Sequence, residues 1–392
     1  MNTATKANSP AAKKGNQVKK RGVRRFHDLP IVIAVLILCC AAVIAGDALT
    51  GKRAAKVQLQ HAKDGVSALQ AWYDPASGLY RSTGWWNSAN AVTVLVDYSR
   101  VRHTGKYKPI FSNTLTAAQT GKDGFQGFIN KYYDDEGWWA LAWIDAYEFT
   151  HDQRYLSQAE FIFLNMTTGW DDVCGGGIWW NKDRHYKAAI ANELFLSVAA
   201  HLANLDKANQ ALYLNWANRE WSWFAQTGMI NAQNLVNDGL RSSYSKPPVA
   251  TCHNNGMPTW SYNQGVVLGG LTELAKLNPD PALPAEASKI ATAAITRLVD
   301  SHGIMHDPCE PACGADGVQF KGIFVRNLAA LYMRYPQTSY KTFIQNNADT
   351  LWDKSQGPGF QFGQVWSGPY AAANAGSQSS ALDAIVAAAA VQ

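Results

Sequence analysis

The stretch YYDDEGWWALAWIDAYEFT, residues 132–150, joins an acidic cluster to an apolar helical run. Three consecutive acids, 134–136, precede two tryptophans, and apolar residues then occupy every side of a helix as far as Phe149. A helix that is hydrophobic all round is a buried one. Acids are favoured at its start because the first turn has unpaired N–H groups and partial positive charge. The stretch predicts a buried helix whose N-terminal acids either cap it or catalyse a reaction.

The rest of the chain from residue 54 alternates two kinds of helical segment, with few strand-like runs of period two. Six segments are apolar nearly all round and are predicted to be buried: 85–98, 138–149, 186–205, 260–277, 320–335 and 377–391. Six others are amphipathic and are predicted to lie on the surface: 54–72, 108–119, 153–168, 209–226, 284–300 and 339–354. Such an alternation is typical of repeated helical hairpins. Closing the hairpins into a ring buries the inner set, whereas an open solenoid would expose it. The predicted fold is therefore all-α, one (α/α)6 barrel from about residue 50 to 392.

Ring closure predicts where a site would form. If each inner helix follows an outer one, all six inner helices are parallel and begin at one pole of the barrel. The loops that enter them are rich in Trp, Tyr, Asn, Asp and Gly, as in CGGGIWWN at 174–181. These loops are expected to form a cup. The triple glycine lacks the following Lys-Ser/Thr of a phosphate-binding loop and is interpreted as a tight turn.

The first 46 residues resemble a targeting region. Residues 1–28 carry eight Lys or Arg and one acid, and an uncharged, largely apolar run follows from Leu29 to Ala45. We expect 1–28 to be a disordered cytosolic tail and 29–46 a signal-anchor, with a signal peptide cleaved after Ala45 as the alternative. By the positive-inside rule the later residues are then lumenal or extracellular, so the protein is type II membrane-anchored or secreted. Those residues carry 27 Lys or Arg against 29 acids, a balance that argues against a nucleic-acid partner.

Cysteine usage agrees with this compartment. Outside the hydrophobic run the chain has four cysteines, an even number, which favours two disulfides. Of the three pairings we prefer Cys174–Cys252 with Cys309–Cys313. A sequon at Asn165 fits a secretory route.

A zinc site is the alternative use of two of these cysteines. His302 and His306 precede Cys309 and Cys313 at spacings that superficially suit zinc. Oxidation competes for those thiols, and nothing else near them is typical of a metal site. We therefore predict neither a metal nor a cofactor.

The composition of the cup suggests a carbohydrate ligand. The chain has 15 Trp, 16 Tyr and 14 Phe, many of them in the entering loops. Flat aromatic faces cover the C–H surface of a sugar, while amides and carboxylates bind its hydroxyls. The candidate sugar-binding residues are Trp86, Asn87, Trp139, Tyr262, Asn263, Gln264, Asp316 and Lys321.

Asp134 and Asp135 are the candidate catalysts. Carboxyl groups on consecutive residues at a helix start can stand about 5 Å apart, as in a retaining glycosidase. One ionised group would attack the anomeric carbon. The other would protonate the leaving oxygen, its pKa raised by the charge of its neighbour.

Four motifs carry a family resemblance. The opening stretch together with CGGGIWW, WSYNQGVVLGGL and FKGIFVRNLAALY resembles, in order, glycoside hydrolase family 76, the endo-α-1,6-mannanases and their fungal cell-wall relatives. The resemblance implies an (α/α)6 barrel that acts on α-1,6-linked mannan by retention, with Asp134 as nucleophile and Asp135 as acid/base. Fungal relatives often have a C-terminal lipid anchor, which residues 381–392 do not predict because they lack a polar spacer and a long hydrophobic tail.

Three other functions remain open at the level of sequence. A transglycosylase would use the same pair and pass mannan-bearing glycans to a cell-wall hydroxyl. A non-catalytic carbohydrate-binding barrel would not depend on the aspartates. A terpenoid cyclase would need an apolar cavity and a metal-binding aspartate pattern, which the chain lacks. The sequence gives no oligomeric state.

Overall fold

The protein is described by a computed structural model over residues 54–119, 126–243 and 251–392. The predicted tail and membrane segment, 1–46, lie outside these ranges. Among the residues described, no helix combines the length and the apolar character needed to cross a membrane.

Twelve α-helices make up most of the described chain, and they alternate as predicted. The helices on the outside are α1 (54–69), α3 (Lys108–Ala117), α5 (Gln153–Thr167), α7 (Gln210–Phe224), α9 (Ala282–Arg297) and α11 (Thr338–Lys354). The helices on the inside are α2 (Trp85–Val101), α4 (Tyr133–Thr150), α6 (Ala189–Leu205), α8 (Ser261–Leu274), α10 (Phe320–Arg334) and α12 (Ala375–Ala390). The mostly helical fold expected from the sequence is confirmed.

The inner helices form a closed ring. Each packs against the next in chain order, and α12 packs against α2. The outer helices surround them, with α5 against α4, α7 against α6 and α9 against α8.

Glycines allow close approach inside the ring: a Cβ on Gly265 would lie 2.5 Å from Phe324 Cα, and one on Gly322 would lie 2.6 Å from Ser380 Cα. Nearly every residue of α12 is buried, as expected for a helix that is apolar all round.

The connections are short at one pole and long at the other. Only two residues join α4 to α5, and the first of them, His151, adopts a left-handed conformation that ends α4. The segments that enter the inner helices are much longer and carry short antiparallel strands. The strands are β1 (Tyr73–Asp74), β2 (Leu79–Tyr80), β3 (Lys187–Ala188), β4 (Gly239–Ser243), β5 (Thr251–Asn254), β6 (Gln356–Gly357) and β7 (Gln361–Phe362). The loops with unusual composition therefore collect at the pole where the inner helices begin.

A recurrent side-chain bond fixes these loops. The fourth residue of four inner helices is a buried Glu, Asn or Gln that accepts a hydrogen bond from a backbone N–H of the preceding loop. The pairs, which we call loop clamps, are Glu136 with Asn130 (3.2 Å), Asn192 with Ile178 (2.7 Å), Gln264 with Val236 (2.7 Å) and Gln378 with Phe362 (2.9 Å). Buried backbone groups need such partners because water cannot reach them.

Two disulfides brace the same pole. Cys174 is bonded to Cys252, and Cys309 to Cys313, which is the pairing preferred from the sequence. The second bond consumes both thiols of the alternative zinc site. In the described part of the chain, no group of three His, Cys, Asp or Glu side chains could hold a metal ion. Both bonds are typical of a protein that folds in an oxidising compartment.

Candidate active site

A pocket of about 690 Å³ opens at the pole where the inner helices begin. We call it the acidic pocket. Residues from the first turns of α2, α4, α6, α8 and α10 line it, together with the loops that precede them. Its lining consists of Gly84, Trp85, Trp86, Asn87, Asn130, Tyr132, Asp134, Asp135, Trp138, Trp180, Tyr186, Ala188, Ile190, Asp238, Tyr262, Ala315, Asp316 and Phe320.

The paired aspartates stand in this pocket on the first turn of α4. Tyr132 is the N-cap in extended conformation and gives no side-chain cap, so neither aspartate is needed as the N-cap. Asp134 Oδ2 accepts a hydrogen bond from the indole Nε1 of Trp180 at 2.9 Å, while Asp134 Oδ1 has no hydrogen-bond partner among the described residues. One oxygen of Asp134 is therefore held and the other is unpaired.

Asp135 is held by a different partner. Its Oδ2 accepts a hydrogen bond of 2.6 Å from the side-chain amide of Asn130. Asn130 is fixed in turn, because its carbonyl oxygen accepts from Lys182 Nζ at 2.5 Å and its N–H donates to Glu136. Lys182 also forms an ion pair of 2.6 Å with the fully buried Glu136. The third acid of the cluster thus supports the loop that positions Asp135.

Burial sets the proton affinity of the pair. It raises the pKa of Asp134, against the opposing effect of the Trp180 hydrogen bond. The pKa of Asp135 lies well above its usual range because of burial first and the charge of Asp134 second. From the sequence, only the charge of the neighbouring aspartate was expected to raise the pKa. Burial also raises the pKa of Glu136 to about 7, although Lys182 opposes the shift.

Stacked rings form one wall of the acidic pocket. Trp86 stacks on Trp138 with ring centroids 5.6 Å apart, Trp138 on Tyr262 at 6.3 Å, and Tyr262 on Phe320 at 3.8 Å. Because rings in contact hold one another in place, they present a fixed apolar surface next to the carboxylates. This surface suits the C–H face of a sugar ring.

Two further carboxylates belong to the lining of the acidic pocket. Asp316 accepts a 2.9 Å hydrogen bond from the indole of Trp86. Asp238 accepts from the hydroxyl of Tyr186 at 2.5 Å and from the indole of Trp260 at 3.0 Å. No Lys, Arg or His belongs to the lining that the described residues provide, so the pocket is anionic.

Four candidate sugar-binding residues do not belong to the lining of the acidic pocket, and their role in sugar binding stays a prediction. Trp139 is 0% exposed and packs in the core against Trp143. Gln264 is a loop clamp, and Asn263 beside it is also 0% exposed. Lys321 is buried and forms an ion pair of 2.6 Å with Glu310. Trp139 is therefore used for packing, and Gln264 and Lys321 for internal bonds, whereas neither side-chain polar atom of Asn263 has a hydrogen-bond partner among the described residues.

The other four candidates reach the lining. Trp86, Tyr262 and Asp316 present side chains to the acidic pocket as described above. Asn87 also belongs to the lining, but its side chain accepts from Gly84 N–H at 3.1 Å and donates to Gln319 Oε1 at 2.8 Å. Its amide is thus already bonded within the protein.

The acidic pocket also contains residues that the sequence did not single out. Asn130 and Trp180, which hold the two aspartates, lie 4 residues before Asp134 and 46 residues after it. Asp238 reaches the pocket through the sheet of β3, β4 and β5, in which Ala188 pairs with Gly239. The position of Trp180 in the aromatic motif CGGGIWW was the one available signal. Asn165, the predicted glycosylation acceptor, lies partly buried in the last turn of α5.

Known proteins resemble this chain in sequence. The model of glycosyl hydrolase family 76 matches residues 53–392. Mannan endo-1,6-alpha-mannosidase DCW1 of Candida albicans is 28% identical over 277 residues, which are 65% of this chain and 59% of that relative. Its counterpart in Saccharomyces cerevisiae is 26% identical over 335 residues, 77% of this chain and 71% of that relative. The match to the Candida relative thus spans little more than half of that protein.

Solved structures show the same fold. An inactive variant of the alpha-1,6-mannanase GH76A of Salegentibacter, in which two consecutive aspartates are replaced by alanine and alpha-1,6-mannotetrose is bound, superposes with a TM-score of 0.77 at 22% identity. The match covers 86% of this chain and 99% of that one. Dfg5 of Chaetomium thermophilum, in complex with glucosamine, gives a TM-score of 0.73 at 21% identity and covers 85% and 90%.

Proposed function

The chain belongs to glycoside hydrolase family 76, and we propose that it is a retaining endo-acting hydrolase of α-1,6-mannosidic linkages. The observation that carries this proposal is the pair Asp134 and Asp135, each held by one side-chain donor, beside a wall of stacked rings in the acidic pocket. The names of the curated relatives and the sugar bound to the Salegentibacter enzyme support α-1,6-mannan as the substrate.

In the first step, Asp134 attacks the anomeric carbon. The Trp180 indole favours its ionised form, and its Oδ1 is unpaired. Asp135 gives its proton to the leaving glycosidic oxygen as the C–O bond breaks. The products of this step are a mannosyl ester on Asp134, an ionised Asp135 and the released sugar, whose leaving oxygen has become a hydroxyl. The raised pKa of Asp135 fits it to supply that proton.

In the second step, Asp135 takes a proton from a water molecule. The water oxygen attacks the same anomeric carbon and releases Asp134. Two inversions at one carbon restore the original configuration. A sugar hydroxyl in place of water would give transglycosylation, so the acceptor alone separates hydrolysis from transfer.

We also infer that this domain works in the secretory route or outside the cell. Two disulfides support this placement. The membrane anchor at 29–46, the cytosolic tail at 1–28, the glycan at Asn165 and an uncleaved type II topology are part of the same proposal and rest on the sequence.

Incubation of the full chain with linear α-1,6-mannotetraose tests the activity. We expect shorter products from the wild type and none from Asp134→Asn or Asp135→Asn at equal protein concentration. Products longer than the substrate would identify transfer as the main reaction. Equal outcomes for the wild type and both variants would contradict a catalytic role and favour a carbohydrate-binding barrel.

A further inference from the structure

A second cavity, of about 670 Å³, opens at the opposite pole, where the inner helices end. We call it the distal cavity. All six inner helices line it, and it shares no lining residue with the acidic pocket. The proposed hydrolysis makes no use of it.

Negative charge exceeds positive charge on one side of the distal cavity. Arg100 on α2 is the shared partner of three carboxylates: Asp97 at 2.7 Å, Glu148 at 3.6 Å and Asp145 at 3.9 Å. One guanidinium cannot neutralise three carboxylates. The charge of Asp97 and burial both raise the pKa of Asp145, with burial the larger cause.

Two histidines, His103 and His201, also belong to the lining, and His201 lies 3.8 Å from Glu273. The other charged groups are bonded to one another or to Asn90. Glu273 pairs with Lys276 at 2.5 Å, so that pair is close to neutral. Arg326 is divided between Asp383 at 3.3 Å and the side-chain oxygen of Asn90 at 2.5 Å. The excess near Arg100 therefore remains.

Asp383 provides an independent sign of a missing partner. It lines the distal cavity, it is 3% exposed, and its Oδ1 has no hydrogen-bond partner among the described residues. A buried carboxylate oxygen without a donor is costly, and a bound group with N–H bonds would remove that cost.

Part of the remaining lining is apolar, beside the polar side chains of Thr93, Ser197 and Asn327. Leu141 on α4, Val386 and Ala387 on α12, and Met333 on α10, which is 65% exposed, contribute hydrocarbon surface between the charged groups. Because no three metal-ligating side chains converge within the described residues, a bare metal ion does not fit. The inner helices also end here, where the helix dipole favours positive charge.

We propose that the distal cavity binds a linear aliphatic polyamine. Protonated amines would bond to the carboxylates around Arg100 and to Asp383, and the methylene chain would lie on Leu141, Val386 and Ala387. The two features that carry the proposal are the uncompensated carboxylates and the unpaired oxygen of Asp383 in one cavity with apolar walls. Binding does not require turnover in the acidic pocket.

Calorimetric titration of the full chain with spermidine tests this proposal. The variant Asp145→Asn/Glu148→Gln removes two charges from the distal cavity with little change in shape, and we expect it to weaken binding at least tenfold. Asp280→Asn/Glu286→Gln removes two charges at and beside α9, outside either cavity, and should change the affinity less than twofold. Thermal melting of each variant checks that it is folded. Glu148→Gln alone changes a more exposed position and is therefore a milder variant for use if the double variant does not fold.

The acidic pocket is the competing site for a cation. Asp134→Asn/Asp135→Asn should therefore leave spermidine affinity unchanged, and 1,8-octanediol, which has no charge, should not bind measurably. Loss of binding in the catalytic variant, or equal affinity of all folded variants, would overturn the proposal. Failure of the wild type to bind spermidine at low ionic strength would also overturn the proposal, whether or not the protein cleaves mannan.

Discussion

The hydrogen bond from Trp180 to Asp134 is the contact that most clearly separates the two aspartates at the residue scale. It favours the ionised form of Asp134. Bonds to a charged group contribute about 1.5–3 kcal/mol. Trp180→Phe keeps a ring but removes the donor, so we expect kcat/KM on α-1,6-mannotetraose to fall by about 10- to 100-fold. The acid limb of the pH–rate profile should move to higher pH, because Asp134 then gains its proton more easily.

Trp179→Phe is the matched control. It also removes an indole hydrogen bond, 2.7 Å to Asp171, but Trp179 does not line the acidic pocket. Its kcat/KM should stay close to that of the wild type. If both variants lose activity equally, the loss comes from disturbance of the loop that carries both tryptophans and not from the missing hydrogen bond to Asp134.

Asp316 gives a prediction about pH dependence. Its negative charge raises the pKa of both Asp134 and Asp135. Asp316→Asn removes that charge and makes each carboxyl easier to ionise, so both limbs of the pH–rate profile of kcat/KM should shift to lower pH. A shift to higher pH, or a loss of activity at all pH values with no shift, would mean that Asp316 acts mainly by holding Trp86.

The tryptophans at 138 and 139 show what the sequence could and could not predict about single residues. Adjacent helical residues point about 100° apart, so the sequence predicts that only one of the two tryptophans can easily face the cup. Which one depends on the rotation of α4 within the ring, and that rotation is set by contacts with other helices. Trp138 reaches the pocket, whereas Trp139 packs against Phe128 and Trp143.

At the element scale, the loop clamps show why the role of an amide at the start of an inner helix is hard to predict from the sequence. An amide at the start of an inner helix can bind a sugar or hold a loop, and its sequence neighbourhood is the same in both cases. Gln264 bonds to Val236, which is 28 residues earlier in the chain. That pairing follows from the path of the loop that enters α8, which no local pattern predicts.

Gln264→Met tests this structural assignment. The substitution keeps the length of the side chain but leaves the N–H and C=O of Val236 without their partner, and it removes the side-chain bond to the C=O of Trp260. Each buried unpaired group costs about 1–3 kcal/mol. We expect the free energy of unfolding in urea to fall by about 2–5 kcal/mol while KM for mannotetraose changes less than twofold.

Gln226→Met is the control for that experiment. Its amide bonds to Ser222 O on the exposed surface, so the free energy of unfolding should change by less than about 0.5 kcal/mol. A stable Gln264→Met protein with a strongly raised KM would restore Gln264 as a sugar contact.

At the scale of the whole molecule, the alternation of apolar and amphipathic segments was sufficient to predict the helical ring and the pole at which the long loops collect. More than half of the residues of each inner helix are buried, and the apolar composition of each helix predicts that burial. The sheet of β3, β4 and β5 was not predicted, because its strands are short and come from distant segments. Asp238 enters the acidic pocket through this sheet and was missed for the same reason.

The two disulfides should stabilise the molecule unequally. Cys174 and Cys252 are separated by 78 residues, and Cys309 and Cys313 by 4. Since loop-closure entropy grows with loop length, we expect Cys174→Ala/Cys252→Ala to lower the free energy of unfolding by about 4 kcal/mol and Cys309→Ala/Cys313→Ala by about 2 kcal/mol. Chemical unfolding of both variants measures the difference. A larger loss from the short loop would show that chain entropy is not the main effect.

The central claim is that Asp134 forms a covalent bond to the sugar. Mass spectrometry of the Asp135→Gly variant, incubated with a mannosyl fluoride that carries fluorine at carbon 2, tests it directly. The reactive fluoride leaves without an acid, and the fluorine slows hydrolysis of the ester. We predict that the protein gains the mass of one fluoromannosyl group and that peptide mapping places it on Asp134. A protein of unchanged mass that still turns over the fluoride, or a label on another residue, would contradict the account.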